Sequence, residues 1–139
     1  MEAEIRSASG FTVWELQNKL KDLLKITHDK APVNDKESLK NLYRSWITEE
    51  YKEFMAEPNG TPEAYKEAMD LLWVIIQYMN CENFSVGAGF DELFREYNSK
   101  LYDDDGNFIA TYRESDGKLL KGNNFKKADF KKIWKLYNT

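Results

Sequence analysis

An all-α fold is predicted, a four-helix bundle core followed by a loop or small hairpin and a terminal helix. Three observations carry it. Apolar residues recur at helical spacing in four successive stretches, helix-capping residues open the first three, and a short Pro-Asn-Gly turn joins the second to the third. At 139 residues the chain has the size of one domain, so residues 1–139 are read as a single unit of function.

The first helix is expected from Thr12 to about Ile26. Thr12 and Glu15 have the spacing of a capping box, and Val13, Leu16, Leu20, Leu23 and Leu24 form one stripe. Pro32 and Asn34 interrupt it, and Asp35 caps a second helix that runs to about Glu57. The second stripe reads Leu39, Leu42, Tyr43, Trp46, Ile47, Phe54, and where it should pass through position 50 it meets a glutamate. Pro58-Asn59-Gly60 stops that helix, while Thr61 and Pro62 start the third. So short a connection makes the two antiparallel neighbours.

The third helix is apolar almost all round from Ala68 to Met79, the pattern of a buried helix, with Asp70 and Gln77 as interruptions. Gly87 and Gly89 are read as the end of the next loop, and Phe90, Leu93, Phe94 and Tyr97 as a short fourth helix. Phe108–Tyr112 and Lys118–Lys121 flank Ser115-Asp116-Gly117 and can form a small hairpin. Phe130, Ile133, Trp134 and Tyr137 give the terminal amphipathic helix.

Composition excludes several classes. Hydrophobic residues at 42% and charged residues at 32% fit a globular chain rather than a disordered one. With 24 acids against 20 bases there is no excess of positive charge for a nucleic acid polymer. The longest apolar run is far shorter than the roughly 20 residues a bilayer span needs, so no membrane partner is expected. The N-terminus lacks the basic start and apolar stretch of a signal peptide, and Cys81, the single cysteine, can form no internal disulfide. A cytoplasmic location is the expectation. His28, the single histidine, follows the first helix, where a solvent-exposed or capping role is expected.

Residues three apart on a helix differ by only about 60° in direction, so Glu50 and Glu53 share a face, as do Glu67 and Asp70. On antiparallel neighbours both pairs can converge in one groove. Glutamates on amphipathic helices mostly lie in solvent, but Asp70 stands among Met69, Leu71, Leu72 and Trp73, which leave little room for a solvated side chain. Converging carboxylates repel, and bound cations are the simplest relief. Oxygen-only ligands select hard ions, Mg²⁺ first with Mn²⁺ as a substitute, and hence phosphate chemistry.

Glu49-Glu50-Tyr51-Lys52-Glu53, thirteen residues, then Glu67-Ala68-Met69-Asp70 resembles the Glu-Glu-x-x-Glu and Glu-x-x-Asp signature of the all-α nucleoside triphosphate pyrophosphohydrolases, the MazG-like and phosphoribosyl-ATP-pyrophosphohydrolase-like superfamily. Arg44–Thr48 is similar to the segment that precedes the signature in that superfamily. Asn98-Ser99-Lys100-Leu101, Asp116-Gly117-Lys118 and Lys121-Gly122 are similar to the tail of its phosphoribosyl-ATP branch, with departures at Tyr97, which stands where that branch has Asn, and at Asn123, which replaces a proline. The resemblance spans about residues 40 to 125.

It implies a MazG-like fold that splits a nucleoside triphosphate into a monophosphate and pyrophosphate. By the same resemblance Glu50, Glu53, Glu67 and Asp70 would hold Mg²⁺, and a homo-oligomer, dimer or tetramer, is expected. Glu49, about 100° round the helix from Glu50, can help position or deprotonate a water beside it. Asn98, Lys100, Lys118 and Lys121 are the candidate substrate contacts, and Trp14 and Trp73 the candidates for stacking on a base, although core packing is the commoner use of tryptophan.

Two other metal classes fail. A di-iron bundle needs two Glu-x-x-His motifs, and a calcium loop with Gly106 at its sixth position would begin at Leu101 and end at Tyr112. The remaining competitor is a helical binding or assembly module whose acids only solubilise it.

Overall fold

A computed structural model describes residues 10–138. Every regular element among them is helical: α1 (Val13–His28), α2 (Lys36–Met55), α3 (Pro62–Glu82), α4 (Val86–Leu101) and α5 (Phe130–Tyr137). Among the described residues no helix is long and apolar enough to cross a membrane. The chain divides into two compact units, one reaching Val86 and the other beginning at Gly87.

In the first unit the caps act as the sequence implies. Thr12 and Glu15 close a reciprocal capping box, with the Glu15 amide donating to Thr12 Oγ1 at 3.1 Å. Asp35 and Thr61 accept from the amides of Ser38 and Ala64, which relieves unpaired donors at the starts of α2 and α3. α3 ends at Asn83, which adopts the left-handed conformation at φ 59° and so lets the Phe84 amide reach back to the Met79 carbonyl at 2.9 Å.

α2 and α3 lie side by side and antiparallel. Lys40, early on α2, pairs with Glu82 at the end of α3 at 2.9 Å, while Glu50, late on α2, meets Glu67 near the start of α3. Leu24, Leu39, Tyr43, Val74 and Cys81 are buried between the helices, with Leu42, Trp46, Ile47 and Tyr78 packed round them. A second cluster joins Leu20, Ile76 and Val86. α1 packs on α3, and side-chain amides tie the two together. The fully buried Gln77 donates to the Leu20 carbonyl at 2.7 Å and accepts from Asn80. Gln17 donates to Asn80 and to the Phe84 carbonyl, and accepts from the Val86 amide. Gln77 therefore interrupts the apolar pattern of α3 because it satisfies polar atoms that would otherwise be buried unpaired.

Three readings need correction. Gly87 and Gly89 lie inside the first turn of α4 rather than in a loop, and α4 runs on to Leu101, so the Asn98–Leu101 segment is its last turn. His28 is buried, bonded through Nε2 to the Tyr43 hydroxyl at 3.0 Å and stacked on Trp46, because α2 brings those rings over the end of α1. α3 is not buried all round: Tyr65, Met69, Leu72 and Trp73 leave one flank exposed.

In the second unit α4 holds the backbone of residues 126–129 with its side chains. The amides of Lys126, Ala128 and Asp129 donate to Ser99 Oγ, Glu96 and Glu92 at 2.8, 2.7 and 2.9 Å. The segment is thereby hydrogen-bonded as if to a strand edge, although its partner is a helix. Between them Asp103 accepts from the amides of Asp105 and Asn107 round a turn with Gly106 at φ 82°. The expected hairpin is reduced to one antiparallel bridge, Tyr112 with Leu119, and its two flanking hydrogen bonds. Asp129 caps α5, donated to by the Lys132 amide.

Candidate metal centre

The antiparallel register of α2 and α3 decides where the acids meet. One carboxylate oxygen each from Glu50, Glu67 and Asp70 lies within 4.8 Å of the others, and all three side chains are half-buried. Glu50 Oε2 and Glu67 Oε2 are shielded from water and have no hydrogen-bond donor. An anionic oxygen left so is costly, and two of them beside a third carboxylate more so.

The electrostatics follow. Glu50 is raised above the ordinary carboxylate range first by loss of water, then by Glu53, Asp70 and Glu67. Glu67 is raised by loss of water, then by Glu53 and Asp70, with Lys66 opposing. Glu53 is exposed and lies near enough for its negative charge to act on both. Glu49 is exposed and lies outside the cluster.

Lys66, which spacing arguments about acids pass over, touches the cluster. Its ammonium pairs with Asp70 Oδ2 four residues on, and the contact raises its own pKa. The signal for it was a base one turn before Asp70.

The donor set fits a hard divalent ion: oxygen ligands only, two of them orphaned in a partly dry groove, on two rigid helices. Among the described residues this is the one cluster of three or more potential ligands.

The expected substrate contacts belong to the second unit. Lys100 lies over the rings of Tyr97 and Phe125 at 5.1 and 5.9 Å, and Lys121 over Phe125 at 4.9 Å, so one phenyl seats two ammonium groups. Lys121 also lines an open cavity of about 570 Å³ with Asp103, Ile109, Thr111 and Asn124. Lys118 is exposed at the hairpin turn, its amide donating to Asp116. Asn98 is exposed, and its carbonyl accepts from Tyr102. Trp14 is 71% exposed and Trp73 46%, so neither is core.

Comparison with protein-family models, with curated proteins and with solved structures finds no match to this chain.

Proposed function

We propose that the chain is a Mg²⁺-dependent nucleoside triphosphate pyrophosphohydrolase, similar in its acidic signature to the all-α MazG-like enzymes. The observation that carries the reading is the meeting of Glu50, Glu67 and Asp70 across α2 and α3 with two buried oxygens lacking donors. A surface that used these acids only for solubility would leave them in water, which is the argument against an assembly module.

In this reading Glu50, Glu67 and Asp70, with the nearby Glu53, would hold Mg²⁺ or Mn²⁺. The ion supplies Lewis acidity toward phosphate oxygens and makes a nucleophilic water available near neutral pH. The protein's part is to fix the carboxylates on helices, so that little reorganisation is needed when a triphosphate arrives. In this reading Glu49, exposed and next to Glu50 in sequence, would help position or deprotonate a water. The resemblance names Asn98, Lys100, Lys118 and Lys121 of the second unit as the candidate substrate contacts. Cleavage falls between the α and β phosphates, giving a monophosphate and pyrophosphate. The exposed flank of α3 supports a homo-oligomer, dimer or tetramer, and the lone buried thiol accords with the reducing cytoplasm.

The test is a screen of the common NTPs and dNTPs with Mg²⁺ or Mn²⁺, reading pyrophosphate against orthophosphate. Pyrophosphate released in step with a monophosphate is expected. Orthophosphate alone, or no product from any nucleotide, would remove the assignment.

A further inference from the structure

The ion pair between Lys66 and Asp70 is poorly explained as a helix stabiliser. Exposed pairs four apart contribute little, and the order with the base toward the N-terminus is the weaker one. Its position explains it better. Lys66 Nζ engages one of Asp70's two oxygens, and its charge also acts on Glu67 and Glu50, so one monovalent cation answers part of the repulsion among three acids. The Lys66 side chain is 69% exposed and unbranched, so it can leave Asp70 by rotating into solvent without moving α3. Glu50 Oε2 and Glu67 Oε2 stay unanswered meanwhile, because the ammonium bonded to Asp70 Oδ2 does not donate to them.

We propose that Lys66 is a built-in counter-ion that holds Asp70 until a divalent ion displaces it. It thereby weakens the site's affinity for that ion and sets the concentration at which the site fills. This rests on reading the cluster as a divalent-ion site. The exchange is a competition of charges: no covalent bond changes, and the ammonium stays protonated as it moves to water. Lys66 is then a positioning residue that acts through Asp70.

Calorimetric titration of the full chain with Mn²⁺ alone, with no nucleotide present, tests it on wild type, Lys66→Gln and Lys66→Arg. Lys66→Gln should bind Mn²⁺ roughly two- to fivefold more tightly, the range expected for removing one partly exposed competing charge. Lys66→Arg, which keeps the charge, should stay near wild type. Binding by Lys66→Gln where wild type shows none is the extreme form of the same result. Mn²⁺ bound by wild type with equal or weaker affinity in Lys66→Gln overturns this inference alone. Absence of binding in all three proteins overturns the metal site as well.

Discussion

Glu50 and Glu67 each keep one oxygen out of water with no donor to meet it, whereas Glu53 and Glu49 face solvent. The difference sorts what substitution should do. Glu50→Gln and Asp70→Asn keep the shape but remove a ligand charge, so turnover should vanish from the pyrophosphate assay. The helical circular dichroism signal should persist, and melting should stay level or rise, because repulsion is relieved. Glu49→Gln should lower kcat by about a hundredfold, the ordinary yield of one proton acceptor, with Mn²⁺ affinity in calorimetry retained. Full activity in Glu50→Gln and Asp70→Asn together would detach the chemistry from this groove. The acids were legible in the sequence because spacing of three on a helix fixes direction and a short turn fixes the neighbour. His28 was not, since nothing local announces that Tyr43 and Trp46 will close over it. Lys66 was legible only once its partner four residues on was known to be a half-buried acid.

The elements show the same division between local and distant causes. Thr12, Asp35 and Thr61 cap their helices as short-range chemistry demands, which is why the starts of α1, α2 and α3 can be read directly. The start of α4 was misread because glycine at positions 87 and 89 carries a loop signal, yet one of them meets the Phe130 ring, 3.7 Å from where a Cβ would stand. The clamp on residues 126–129 had no sequence signal at all: its bonds join residues 27 to 37 positions apart. Ser99, only 4% exposed, is its most buried member. Ser99→Ala should release the Lys126 amide and cost the second unit about 0.5–1.5 kcal/mol, the net contribution of one hydrogen bond. Hydrogen exchange is the suitable measurement, with faster exchange at Lys126 expected and unaltered protection there counting against the clamp.

For the whole molecule the acid cluster sets a dependence on pH that runs against the usual one. Glu50 and Glu67 hold protons more tightly when folded than the ordinary value of 4.5, so between that value and their raised ones the folded chain binds more protons than the unfolded chain. Their contribution to stability is therefore present at low pH and lost as pH rises through the folded values. Glu82 acts oppositely. Burial alone would raise it, but the Tyr78 hydroxyl and Lys40 outweigh that, so its contribution is lost only as pH falls below 4.5. After treatment with EDTA, the melting temperature of wild type should rise relative to that of Glu50→Gln as pH falls from 7 toward 5. Saturating Mg²⁺ should abolish that rise and stabilise wild type, but not Glu50→Gln, by about 2.7 kcal/mol at a hundred times its Kd. Parallel melting curves for the two proteins across that range would show the carboxylates to be independent.

Cys81 lies 5% exposed in the middle of the first unit, and burial pushes its thiol up, so it is both hidden and poorly nucleophilic. A thiol-reactive dye added to the native chain can attach only during an opening of the helices around Tyr43 and Val74. The chain thus carries its own clock for breathing, and its rate of labelling reports how firmly the two acid-bearing helices stay closed.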